Sequence, residues 1–145
     1  MSPLLRRLTE RLALPVVDES SLDDFLDAAA GEGLHALLLL SGDGAQRAET
    51  ADVLVIFPEL LAHFSSSLRG ALVAPEAEEK LRSRLFAFAS PSLVAMRGRE
   101  PLGVFPKVYD WADYIGKIER LLDPSTPALT GARRPQTEIT FSRGA

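Results

Sequence analysis

Apolar residues along this chain change period several times, and the changes lay out a succession of elements. Leu4, Leu5, Leu8 and Leu12 recur at helical spacing while Arg6, Arg7, Glu10 and Arg11 fill the opposite side, so residues 3 to 13 read as a short amphipathic helix ended by Pro15. Val16-Val17 gives a brief extended segment. Ser20-Ser21 then supply a helix N-cap, with Asp24 in the reciprocal position of a capping box, and Leu22, Phe25, Leu26 and Ala29 form a buried face that stops at Gly31. His35 to Leu40 is an uninterrupted apolar run bounded by Gly33 and by Ser41-Gly42-Asp43-Gly44, the mark of a strand covered on both faces.

A polar stretch from Gln46 to Asp52 leads into a second helical stripe, Val53, Ile56, Phe57, Leu60, Leu61 and Phe64, with Pro58 expected to kink it. Leu68 to Val73 reads as another buried strand, and Glu76 to Arg84 as a helix with carboxylates first and cations last, as the helix dipole prefers. Leu93 to Met96 and Leu102 to Phe105 form an antiparallel hairpin around Arg97-Gly98-Arg99-Glu100. Asp110 caps a last helix carrying Trp111, Ile115, Ile118 and Leu122 on its apolar face, and Pro124 closes it. The expected architecture is an α/β domain over residues 1–124, with a central mixed sheet of about four to five strands and helices on both faces. Residues 125–145, rich in Thr, Pro, Gly and Arg without a period, read as a flexible C-terminal tail.

Composition narrows the chemistry. The 145 residues suit one domain with a real core, 46% of them apolar and 25% charged. Twenty carboxylates against 16 cations leave a net charge of -4, which argues against nucleic acid as the partner. The absence of cysteine removes disulfides, Cys-ligated metal and any thiol nucleophile, and two histidines, His35 and His63, are too few for most metal sites; no cofactor is expected. No apolar run approaches the ~18 residues of a membrane helix. Arg6-Arg7 is followed by Thr9, Glu10 and Arg11 rather than by an apolar export segment, so the expected location is the cytoplasm, with no stable membrane insertion.

Catalytic patterns are weak. Ser41-Gly42-Asp43-Gly44 lacks the Gly-Lys-Ser/Thr ending of a phosphate loop and reads as a turn. Ser41, Asp43 and either histidine lack a nucleophile elbow. His35 opens a buried strand and His63 follows an apolar stripe, so both read as structural, and Trp111 reads as core. Carboxylates gather in three places: Asp23, Asp24 and Asp27; Asp43, Glu49 and Asp52; Glu76, Glu78 and Glu79. Each cluster reads either as a solvated helix face or as a surface for a cationic partner.

The element order is that of a thioredoxin fold, in which a CxxC pair follows the central strand and faces a cis-proline. The corresponding segments here are Leu40-Ser41-Gly42-Asp43-Gly44-Ala45-Gln46-Arg47 and Ala89-Ser90-Pro91-Ser92-Leu93, without the cysteines. More specifically, the chain resembles the HupG/HyaE/HoxO family of NiFe-hydrogenase maturation proteins, thioredoxin-like chaperones that lack the redox motif. The resemblance lies in Glu19-Ser20-Ser21-Leu22-Asp23-Asp24-Phe25-Leu26, Leu37-Leu38-Leu39-Leu40-Ser41, Phe88-Ala89-Ser90-Pro91, Gly103, Trp111 and Leu121-Leu122-Asp123-Pro124.

What the resemblance implies is a non-enzymatic chaperone that binds the twin-arginine signal peptide or precursor of the hydrogenase small subunit and prevents premature export. It implies a peptide-binding site at Asp43, Glu49, Asp52, Ser90 and Pro91, with Asp23, Asp24, Asp27, Glu76, Glu78 and Glu79 as further acidic patches for the client's arginines. Two alternatives stay open: a generic redox-inactive thioredoxin-like interaction module with another protein client, and an enzyme built on the same fold without a thiol.

Overall fold

The residues of the central strand divide by parity between two cores. In the computed structural model, which describes residues 3–42 and 48–130, β2 (His35–Leu40) sends Leu37 and Leu39 to one face and Ala36, Leu38 and Leu40 to the other, as the pleat requires. On the first face they meet α1 (Pro3–Leu12), α3 (Ala48–His63) and α5 (Trp111–Leu121), through Leu5, Phe57, Leu60, Tyr114 and Ile118. On the second they meet α2 (Leu22–Gly31) and α4 (Glu78–Leu85), through Leu22, Leu26, Leu81 and Leu85. A continuous apolar run is therefore what a strand between two helical layers needs.

The remaining strands are β1 (Val16–Val17), β3 (Leu68–Val73), β4 (Ser92–Arg97) and β5 (Glu100–Phe105), in the spatial order β1-β3-β2-β4-β5. β1, β3 and β2 run parallel, and β4 is antiparallel to both β2 and β5. Leu38 lies opposite Ala71 on one side and Val94 on the other, which places β2 at the centre of the sheet. A register shift between Ala95 and Met96 accommodates β5, where Pro101, lacking a donor, is tolerated in a terminal strand. The expected mixed sheet with helices on both faces is present.

Several local expectations are corrected. Ser21 makes no capping bond to α2; the Asp18 carboxylate accepts the Ser20 and Ser21 amides at 2.9 and 3.0 Å, and also both hydroxyls. Asp110 holds the N-cap position of α5 but likewise makes no side-chain cap bond. Helix α2 does end at Gly31 as expected, with a left-handed residue following at Gly33, φ +77°. Helix α3 starts at Ala48, inside the expected polar lead-in, and contains Pro58 as the apolar stripe implied. A short 3-10 turn, Pro75–Ala77, precedes α4, so that helix begins at Glu78.

Trp111 is 45% exposed instead of buried, its ring edge-on to His63, and Tyr114 takes the core position one turn later. Several residues from 124 onward make contacts with the sheet. The Arg97 guanidinium binds the carbonyl oxygens of Pro124 and Thr126, and the Leu129 amide donates to the Pro101 carbonyl at 2.8 Å, so this segment is tied to the β4–β5 hairpin. The rest of the expected tail, 131–145, lies outside the described residues.

Candidate functional site

At the C-terminal end of β2 the sheet changes from parallel pairing with β3 to antiparallel pairing with β4, and Leu40 lies opposite Ser92, so the residues after β2 and the loop before β4 lie side by side there. Ser41, 2% exposed, continues the strand into Gly42. Gly42 has φ +77°, and a side chain there would bring its Cβ within 3.1 Å of the Ser90 Cβ. Glycine is needed on both counts, since the left-handed region and the close approach each penalise a Cβ.

Glu78 sits in the first turn of α4, 3% exposed. Its Oε2 accepts the Gly42 amide at 3.0 Å and its Oε1 accepts the Ser90 hydroxyl at 3.3 Å. Arg82, one turn on, stands 3.9 Å from the same Oε1. That guanidinium also donates to the Ala87 carbonyl at 3.3 Å and to the Ser90 hydroxyl oxygen at 3.4 Å, and pairs with the exposed Glu79 at 3.3 Å. Burial pushes the Glu78 carboxyl above its ordinary range, and the Gly42 amide, the Arg82 charge and the Ser90 hydroxyl offset only part of that.

Pro91 follows Ser90 through a cis peptide bond, as the resemblance implies, and is buried. The Ser92 hydroxyl donates back to the Ala89 carbonyl, closing the loop that opens β4. Phe88, just before it, is 58% exposed. Three segments distant in sequence thus converge on one carboxylate: the turn after β2, the first turns of α4 and the loop before β4.

The expected site residues separate on this geometry. Ser90 and Pro91 lie in the cluster. Asp52 is exposed on α3; Asp43 and the side chain of Glu49 lie outside the described residues. The Glu76, Glu78 and Glu79 patch does not exist as a patch. Glu76 and Glu79 face solvent, whereas Glu78 is in phase with Leu81 and Leu85 on the buried side of α4.

The α2 aspartates are largely engaged by the chain's own arginines. Arg99 grips Asp27 through two bonds of 2.8 and 2.9 Å and reaches Asp23 at 3.5 Å, while Arg84 also binds Asp23. The Arg99 hydrogen bond holds the Asp27 carboxyl below its ordinary value. Asp24 stays exposed and in no ion pair among the described residues. A patch of three free acids is therefore reduced on this helix by pairings with the α4 end and the β4–β5 turn.

Sequence reasoning missed Glu78 as a bridge and Arg82 altogether. The available signal was phase: an acid three residues before Leu81 and seven before Leu85 falls on the apolar stripe of its helix. No group of three or more metal-ligating side chains occurs among the described residues. No helix of the described chain is long and apolar enough to cross a membrane. The buried His35 Nε2 finds no partner among the described residues, and burial, then the Arg97 charge, lower that ring's affinity for a proton.

Residues 4–114 match the family model described as hydrogenase-1 expression protein HyaE. The chain is 46% identical over 141 residues to the hydrogenase expression/formation protein HupG of Rhizobium leguminosarum bv. viciae, covering 97% of this chain and 95% of that one. It is 36% identical over 120 residues to the hydrogenase expression/formation protein HoxO of Azotobacter vinelandii, covering 83% and 78%. Among solved structures, a hydrogenase expression/formation protein HupG from Rhodopseudomonas palustris superposes with TM-score 0.52 at 37% identity, over 74% of this chain and 94% of that one. A poplar thioredoxin h superposes with TM-score 0.62 at 14% identity, over 76% and 96%, a likeness of fold alone. The fold is thioredoxin-like.

Proposed function

The chain belongs to the HyaE family of hydrogenase expression proteins, and from that premise we propose that it is a non-catalytic cytoplasmic chaperone of NiFe-hydrogenase maturation. Its client is the precursor of the hydrogenase small subunit, recognised at the twin-arginine signal peptide and held back from premature export.

The observation that carries this reading is the Glu78 cluster at the end of β2. Where a thioredoxin keeps its redox pair, a chain without cysteine has a carboxylate that ties the turn to the loop before β4. Thiol exchange is excluded, since it needs a thiolate. What the fold retains there is a loop of the kind along which an extended peptide adds main-chain hydrogen bonds. Signal-peptide arginines would meet exposed carboxylates such as Asp52 in charge-assisted pairs, and the exposed Phe88 ring supports contact with the apolar part of the same peptide.

Calorimetric titration with the cognate small-subunit signal peptide tests the proposal, run beside a peptide whose two arginines are replaced by alanine. Saturable binding that weakens with the replaced peptide, and weakens further as salt is raised, is the expected result. Equal affinity for both peptides, or none for either, would overturn it.

A further inference from the structure

We propose that Glu78 is the positioning residue of the client site: without touching the client, it sets the separation between the Gly42 turn and the Ser90-Pro91 loop and thereby the affinity for the bound peptide. This inference rests on the functional reading above for its client, and on geometry alone for the bridge.

The two carboxylate oxygens divide their work. Oε2 holds the Gly42 amide at 3.0 Å, and Oε1 takes the Ser90 hydroxyl at 3.3 Å, so each oxygen restrains a different segment. The serine hydroxyl gives its proton to Glu78 and takes an Arg82 proton on its oxygen at 3.4 Å, which orders Glu78, Ser90 and Arg82 as one relay. Arg82 extends the tie to the Ala87 carbonyl, at the start of the same loop.

Gly42 and Ser90 lie close enough that a Cβ on residue 42 would stand 3.1 Å from the Ser90 Cβ. The carboxylate, bonded to both, holds the two segments at that spacing. A buried acid is an expensive way to hold two loops unless both its oxygens are satisfied, as they are here. At 3% exposure Glu78 is also out of reach of a client guanidinium. It shapes the surface and leaves the charge pairing to exposed acids.

Glu78→Gln and Glu78→Asp separate this role from folding and from direct contact. Gln keeps the volume but turns one acceptor into a donor; Asp keeps both acceptors on a shorter stem. In the free protein, the NMR amide signals of Gly42 and Ser90 are expected to shift together in Glu78→Gln, and Gly42 amide exchange to quicken, while signals of β3 stay in place. Affinity for the signal peptide is expected to fall about tenfold, the loss of one hydrogen bond to a charged group, with an unchanged dependence on salt. Glu78→Asp is expected to recover part of both.

An altered salt dependence would make Glu78 a contact residue and overturn the proposal, as would unchanged affinity with shifted Gly42 and Ser90 signals. Unmoved Gly42 and Ser90 signals would overturn the bridge itself. If the unaltered protein binds no signal peptide, the functional reading fails separately, and the bridge is still decided by the Gly42 exchange rate.

Discussion

The Glu78 carboxylate and the Gly42 amide meet at 3.0 Å although 36 residues separate them in the chain. Gly42 belongs to the turn after the central strand and Glu78 to a helix on the other side of a crossover, so the bond records how β2, β3 and α4 are stacked. It also makes a burial cost and a positional constraint two aspects of one side chain.

That cost predicts a pH dependence. The folded-state affinity of Glu78 for its proton is raised above the ordinary value of 4.5, mainly by burial. Its contribution to stability is thus fully present below the unfolded value and is lost as pH rises through the folded one. Asp18 and Asp27 act in the opposite sense: hydrogen bonds lower them, so their contribution is present above 3.8 and is lost as pH falls. Urea unfolding of the unaltered protein and of Glu78→Gln across pH 3.5 to 8, a range set about these ordinary values, isolates the first effect. The difference between the two is expected to shift against the glutamate as pH rises past 4.5; a flat difference would contradict the assignment.

Exposed and engaged acids should differ as client contacts. Asp52 is open on α3, while Asp27 is already gripped by Arg99. Asp52→Ala is expected to weaken signal-peptide binding by about fivefold, the upper range for an exposed ion pair, and to flatten its salt dependence. Asp27→Ala is expected to leave the affinity where it was. Titrations at two ionic strengths distinguish them.

Gly70 on β3 faces Leu61 of α3 so closely that an added Cβ would lie 2.5 Å from its Cδ1. Gly70→Ala is expected to cost about 1 kcal/mol by overpacking. Leu61→Ala in the same chain should remove the clash, so the double variant is expected to be more stable than the sum of the single changes implies. Additive effects in denaturant melts would show that the strand and helix accommodate the methyl elsewhere.

Arg97 ties the segment after α5 to the hairpin through the Pro124 and Thr126 carbonyls. Removing it with Arg97→Ala is expected to lower protection of the Leu129 amide by about tenfold, as for loss of a charged hydrogen bond, with protection in β2 unchanged. Hydrogen exchange read residue by residue checks both halves.

Much of the fold was legible because it depends on each residue's own burial. The His35 to Leu40 run announced a strand with two covered faces, and the stripes of α3 and α5 announced their helices. Phe57 and Ile118 take the buried positions their spacing predicts. The site was less legible. Ser20-Ser21 looked like the cap of α2, but Ser21 makes no cap bond, and the Asp18 carboxylate takes the Ser20 and Ser21 amides just ahead of the helix. Glu78 looked like one of three surface acids, although its phase with Leu81 and Leu85 placed it on the buried side.

By itself, then, the sequence determined the alternation of strands and helices, the two-sided core and the exclusion of thiol chemistry. These follow from periodicity and composition, which need no knowledge of neighbours. Only the tertiary structure decided that Arg99 occupies Asp27, across a separation of 72 residues, and that Glu78 joins Gly42 to Ser90. A side chain's burial is written in its own local pattern, but the identity of its polar partner depends on how distant segments cross, and no local pattern carries that information.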